Sequence, residues 1–425
     1  MNAISENTKA ILLLTAPLIL GRKNEYAKIL TLKEYNSLAR ALRDLGYQPQ
    51  DLLGLGADAI VSKLSSVLEP GRLNKLLNRG FLLGQALNEW QRRAIWVVSR
   101  ADSTYPKRLK TKLRDQAPPI LYGCGERALL DKGGLAVVGS RKITDVLKNY
   151  AEQVGKLAAT AKMPIVSGAA RGIDSAAMGG ALENGGEVIG VMADSLGKAA
   201  LAKTNRQAML DGRLVLVSAY DPAAGFNVGH AMQRNKAIYA FADAGLVVTS
   251  DLKKGGTWTG AIEQLERMHL APVFICNGAA SGPGNAGLIE RGGISWPEPK
   301  NSHELIEAMA QAAEERAKEP QFEQLGLQVG EDTVTYAESS ADDVEAPIEV
   351  PSDKKDVSPA DRLMEAVSAI ALESLDSPTT VDDLAETLNV SKSQMSAWLK
   401  QMIEDKEIKK LSRPVRYVSL KICGD

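Results

Sequence analysis

From Gly133 to about Trp296, short apolar runs alternate with longer stretches of helical spacing. The runs 135–138, 164–167, 187–192, 214–218, 245–249 and 272–276 predict strands. Stretches such as Val146–Ala161 and Asp174–Asn184 predict the helices between them. Continuously apolar strands suit a sheet covered on both faces. Strand–helix alternation suits right-handed crossovers, so the pattern predicts one parallel sheet with helices on both sides.

Upstream, residues 1–92 have helical character. Leu32, Tyr35, Leu38, Leu42 and Leu45 recur at helical spacing, and Gly54-Leu55-Gly56, Gly71 and Gly80 punctuate short helices. Such helix–glycine–helix units grip a DNA backbone in some proteins and only pack in others. The apolar run from Ile11 to Leu20 is short and contains Pro17, which predicts a core helix or turn rather than a signal peptide or span. Residues 94–125 read as a bridge with strands at 94–98 and 120–122 and turns at Tyr105-Pro106 and Pro118-Pro119.

Downstream, residues 316–358 predict a flexible linker, with Pro320, Pro347 and Pro351 and little periodicity. Residues 359–425 then read as helix, helix–turn–helix and hairpin, a winged-helix order. Helices are expected at Pro359–Leu375, after Thr380, and at Ser391–Asp405, with strands at 408–411 and 415–418. The expected domains are therefore 1–92, 93–315, the linker, and 359–425.

Charge sharpens this picture. The 425 residues carry a formal net charge of −1. Glu319–Asp356 holds eleven acidic residues against Lys354 and Lys355, a net of −9, so the remainder is +8. A basic body suits an anionic ligand. The three cysteines are far apart and the three histidines lack ligand spacing, so neither disulfides nor a metal site are expected, and a reducing cytoplasm fits.

The candidate chemistry sits in glycine turns after predicted strands. Gly139-Ser140-Arg141-Lys142 follows the first, and Ser167-Gly168-Ala169-Ala170-Arg171-Gly172 follows the second. Glycine allows close approach of the backbone, and a helix start offers free N–H groups to an anion. A third turn holds Gly256 and Thr257, and further polar loops carry Lys203, Asn205, Arg234, Asn235 and Lys236. Any one turn serves equally well as strand–helix packing; several basic loops at strand ends together point to a polyanion. No GxGxxG with a ribose-binding acid occurs, nor a GxxxxGK[ST] loop, so no nucleotide cofactor is expected. No histidine lies near Ser140 or Ser167 to act as a base, so no catalytic residue is assigned. In the last segment, Lys392, Ser393, Lys400, Arg413 and Arg416 fit either duplex DNA or a protein surface.

Tyr105-Pro106, Pro118-Pro119-Ile120-Leu121-Tyr122, Val138-Gly139-Ser140-Arg141-Lys142 and Ser167-Gly168-Ala169-Ala170-Arg171-Gly172-Ile173-Asp174 occur in this order. Together they resemble the DprA/Smf family of DNA-processing proteins. The resemblance implies an α/β fold: an extended Rossmann-like sheet, an N-terminal helical (SAM/helix-hairpin-helix-like) domain and a C-terminal winged helix. It implies a non-enzymatic, homodimeric single-stranded DNA-binding protein that protects the strand or delivers it to a RecA-type recombinase, as in natural transformation. By position, Arg141 corresponds to the family's phosphate-contacting arginine, and Lys203 with Asn205 to its Lys/Asn pair. Arg234-Asn235 matches its RN dipeptide. The chain departs from the family at Ala219, Ala231-Met232 and Lys236, and in its acidic linker. Those departures also admit a role in phage or plasmid defence with a partner toxin.

Two other readings stand beside it. Gly255-Gly256-Thr257 followed by Glu263 resembles the loop of nucleotide phosphoribohydrolases, where Glu263 would assist glycosidic cleavage. The chain could also act chiefly as an adaptor or antitoxin-like regulator.

Overall fold

The N-terminal apolar run folds as α1 (Glu6–Thr15), capped by the Ser5 side chain, and buries Ile11, Leu12, Leu13 and Leu14. In this computed structural model the described residues are 4–19, 28–278, 281–318, 371–372, 379–387, 395–396, 398–399, 402–403, 408–411 and 416–419. The chain divides into two compact units, Met1–Leu327 and Gln328–Asp425.

In the first unit α2 (Leu32–Asp44) begins with a capping box in which Thr31 and Glu34 satisfy each other's backbone N–H groups. Short helices α3 (Ala57–Lys63) and α4 (Pro70–Leu77) lead to α5 (Gly80–Arg92). Strand β1 (Trp96–Ser99), α6 (Lys107–Leu113) and β2 (Ile120–Gly125) follow. The alternating region then runs β3 (Leu135–Val138), α7 (Asp145–Thr160), β4 (Ile165–Ser167), α8 (Ile173–Glu183) and β5 (Val188–Met192). It continues through α9 (Leu196–Ala199), α10 (Lys203–Leu210), β6 (Leu214–Ser218), α11 (Val228–Phe241) and β7 (Ala244–Val247). The last elements are α12 (Gly255–Glu263), β8 (Val273–Ile275), α13 (Asn285–Ile289), β9 (Ile294–Ser295) and α14 (Ser302–Lys318).

The sheet order is β1-β2-β6-β5-β4-β3-β7-β8-β9. From β6 to β9 every pairing is parallel. The six strands that the apolar pattern predicted are all parallel; β1 and β2, from the bridge segment, join them antiparallel at β6, through Tyr122↔Ser218 and its neighbours. Residues 100–119, which carry α6, join β1 to β2, and the bridge segment forms the antiparallel edge of the sheet.

Successive strand residues point to opposite cores. Leu135 and Val137 face one core with Ile165, Val188 and Leu246, while Ala136 and Val138 face the other with Val166, Ile189 and Val247. The first core also contains Ile11, Leu38, Leu73, Leu83 and Trp90. The N-terminal helices therefore share a core with the sheet rather than forming a separate compact body.

In the second unit, helix Val381–Thr387 and the antiparallel hairpin Ile408–Leu411/Arg416–Ser419 enclose Leu384, Met395, Leu399, Met402 and Tyr417. A helix and a hairpin are described within 359–425; Lys392, Ser393, Lys400 and Arg413 lie outside the described residues, as does the expected linker from 319 onward, while 316–318 continue α14 instead of opening the linker.

Candidate nucleic-acid interface

Chain order reverses direction at β3. From β3 the chain builds β4, β5 and β6 to one side, then returns to build β7, β8 and β9 on the other. The helices that follow β3 and β7, α7 and α12, pack into opposite cores, and a crevice opens at the carboxyl ends of the strands. A groove of about 660 Å³ occupies that place.

Eight of the residues singled out from sequence line it: Gly139, Ser140, Arg141, Lys142, Arg234, Asn235, Gly256 and Thr257. Hydrogen bonds tie their loops together. Thr257 Oγ1 donates to the Gly139 carbonyl at 3.0 Å, and Asn235 Nδ2 donates to the Gly256 carbonyl at 3.1 Å. Gly172 has φ +89°, and a Cβ there would meet the Ser140 carbonyl oxygen at 2.3 Å. Glycine thus lets the second turn pass directly beneath the first.

The other six have different places. Ser167 is fully buried and donates to the Val137 carbonyl at 2.6 Å, so it braces β4 against β3. The Gly168 N–H is taken by Asp174 Oδ2 at 3.1 Å. Arg171 is exposed on the second turn but does not line the groove. Lys203 and Asn205 lie on α10, beyond β5, and Asn205 Nδ2 caps the Ala199 carbonyl at 3.1 Å. Lys236 turns away to Glu263 at 3.2 Å and to Gln116. Consecutive helical residues diverge by about 100°, so Arg234, Asn235 and Lys236 cannot share one target.

Beneath the groove lies a buried ion pair. Arg234 and Asp174 are 9% and 5% exposed, with Nη1 and Oδ2 3.8 Å apart. Burial pushes the Asp174 carboxyl above its usual range, against the opposing pull of Arg234, and pushes the guanidinium down, against the pull of Asp174. For both groups desolvation outweighs mutual attraction. Arg234 Nε and the Tyr239 hydroxyl, both buried at this floor, have no hydrogen-bond partner among the described residues.

Sequence reasoning missed two further contributors. Asp174 ends the second glycine-turn motif and lies at the groove floor. Phe226 precedes α11 and is 58% exposed at the groove wall, with the Arg141 guanidinium 5.3 Å from its ring centroid. An aromatic residue among polar loop residues was the available signal. No histidine, cysteine or glutamate lines the groove. Among the described residues no cluster of His, Cys, Asp and Glu could hold a metal ion, and no helix is long and apolar enough to cross a membrane.

A sequence model of the DNA recombination-mediator protein A family matches residues 96–312, half of the chain and all nine strands of the sheet. The chain belongs to this family. It is 26% identical to DNA processing protein DprA of Bacillus subtilis over 238 residues, covering 55% of this chain and 78% of that protein. It is 32% identical to protein Smf of Escherichia coli over 201 residues, 45% of this chain and 51% of that protein. The crystal structure of DNA processing protein A from Streptococcus pneumoniae superposes with a TM-score of 0.54 at 22% identity. That match covers 72% of this chain and 98% of the other, and it establishes the shared fold.

Proposed function

We propose that this chain is a non-catalytic DNA-binding protein whose strand-end groove holds the backbone of single-stranded DNA. The observation that carries the proposal is the groove at the strand carboxyl ends, where exposed Arg141, Lys142 and Lys254 surround the glycine turns. Exposed guanidinium and ammonium groups, with backbone N–H groups at such turns, bind phosphate oxygens through charge-assisted hydrogen bonds. Membership in a family of recombination mediators, with relatives named as DNA-processing proteins, supports DNA as the polyanion. Delivery of the strand to a RecA-type recombinase and homodimerisation extend the same reading, as does action in the cytoplasm.

The hydrolase reading loses its acid in this geometry. Glu263 is engaged by Lys236 and does not line the groove.

Titration of a labelled oligonucleotide with wild type, Arg141→Ala and Arg171→Ala tests the assignment. Loss of one phosphate contact should reduce the slope of log K against log salt by about 0.7 for a single strand. Arg141→Ala should show this in full, and Arg171, outside the groove, should show less. Identical affinity and slope for Arg141→Ala and wild type would rule out the groove.

A further inference from the structure

A second basic concavity, of about 350 Å³, lies where α2 meets the turn after α6. Arg40, Arg43, Arg100, Lys110 and Arg114 line it, against the single carboxylate of Asp115. Part of this wall is held rigidly. The Arg100 guanidinium lies over the Tyr35 ring at 5.2 Å and donates to Asn36 Oδ1. Asn36 is buried and donates in turn to the Asp115 carbonyl at 2.8 Å, and Lys110 Nζ donates to the Arg100 carbonyl at 3.1 Å. Asp115 is already engaged by Arg40 at 2.8 Å. Arg114 has no ion pair or hydrogen bond from its side chain to the described residues, so its charge is uncompensated.

Arg114 is also strained. Its φ of 49° and ψ of −120° belong to glycine rather than to a residue with a Cβ. Glycine would relieve that strain, so stability alone does not account for an arginine there. The same turn contacts α11, the helix that carries groove residues Arg234 and Asn235, since Lys236 Nζ donates to Gln116 Oε1 at 3.2 Å.

We propose that this concavity is a second phosphate-contact site for a DNA strand that leaves the groove. The inference rests on the proposed function of the groove. It extends the footprint on the strand to the helical N-terminal segment and assigns Arg43 and Arg114 as backbone contacts. Phosphate is the fitting chemistry: guanidinium groups present forked donors, the one ion pair of Arg43 among the described residues is an exposed contact with Asp44 at 3.6 Å, and no exposed aromatic face lines the site to read a base.

The full chain is titrated with oligothymidylates of about 5 and about 16 nucleotides, using wild type, Arg114→Gly and Arg43→Ala/Arg114→Gly. On the long strand each lost contact should lower affinity several-fold and make the salt slope shallower by about 0.7. On the short strand, which the groove alone can hold, the variants should equal wild type. Arg114→Gly should melt no lower than wild type, which separates lost contact from lost folding. If wild type binds the long strand through Arg141 and the double variant matches it in affinity and slope, the second site is overturned alone. If Arg141→Ala leaves binding unchanged, the groove reading falls and this inference falls with it.

Discussion

Replacing Arg234 by methionine keeps the bulk of the side chain but leaves Asp174 buried without its cation. At the observed 3.8 Å separation, an effective dielectric constant of about 20 gives roughly 4 kcal/mol of Coulombic attraction. Breaking a buried pair by removing one partner typically costs about 3–5 kcal/mol, so both routes give the same scale. The carboxyl already sits above its usual range because of burial, and losing Arg234 moves it further in that direction. A carboxyl with a raised folded pKa binds more protons in the native state than in the unfolded one. Stability therefore falls as pH rises through the window between the unfolded value, about 3.9, and the folded value. The deficit of Arg234→Met should be largest at neutral pH and should shrink on acidification. Adding Asp174→Asn removes the charge while its side-chain oxygen can still accept from the Gly168 N–H. Urea unfolding at several pH values compares the single variant, the double variant and wild type. The double variant should recover much of the loss at pH 7 and show no extra pH dependence. Equal losses for single and double variants at every pH would refute the assignment of the cost to the stranded carboxylate.

Phe226→Ala should weaken binding of an oligonucleotide by about 1–3 kcal/mol, the worth of one stacked base, with the salt slope unchanged; fluorescence anisotropy reads both, and a changed slope would contradict stacking. Gly172→Ala introduces a Cβ at φ +89° and 2.3 Å from the Ser140 carbonyl oxygen; it should destabilise by more than about 1 kcal/mol and raise amide exchange across 139–142, and unchanged exchange there would contradict the close approach. The Arg72 guanidinium holds the Glu34 carboxyl down at about 2. Its folded pKa lies below the unfolded one, so this contribution is present above about 4.5 and lost as pH falls towards 2. Arg72→Met should therefore flatten the acid limb of a urea-midpoint profile, and parallel profiles for the two proteins would count against it.

Much of the fold was legible because its signals are local. The apolar run 214–218 became β6 without adjustment, and Val146–Ala161 became α7 with a shift of one residue at each end. The edge pairing of β1 and β2 was not legible: it depends on contacts between Tyr122 and Ser218, far apart in sequence. Eight groove residues were legible as glycine turns and basic loops. Ser167 and Arg171 share a motif with groove residues yet do not line the groove, because one points into the sheet and the other lies outward on its turn.

The sequence by itself determined which segments become strands, where each one turns, and that the turns are basic and lack a nucleophile with its base. These properties follow from side-chain period and from the backbone freedom of glycine, which act over a few residues. Only the tertiary structure decided that the loops after β3 and β7 meet over Arg234 and Asp174, that Phe226 flanks Arg141, and that Gln116 touches Lys236. Strand order is set by packing two cores across one sheet, and the same local pattern is compatible with many orders. The reversal at β3 is the choice that turns separate glycine turns into one groove.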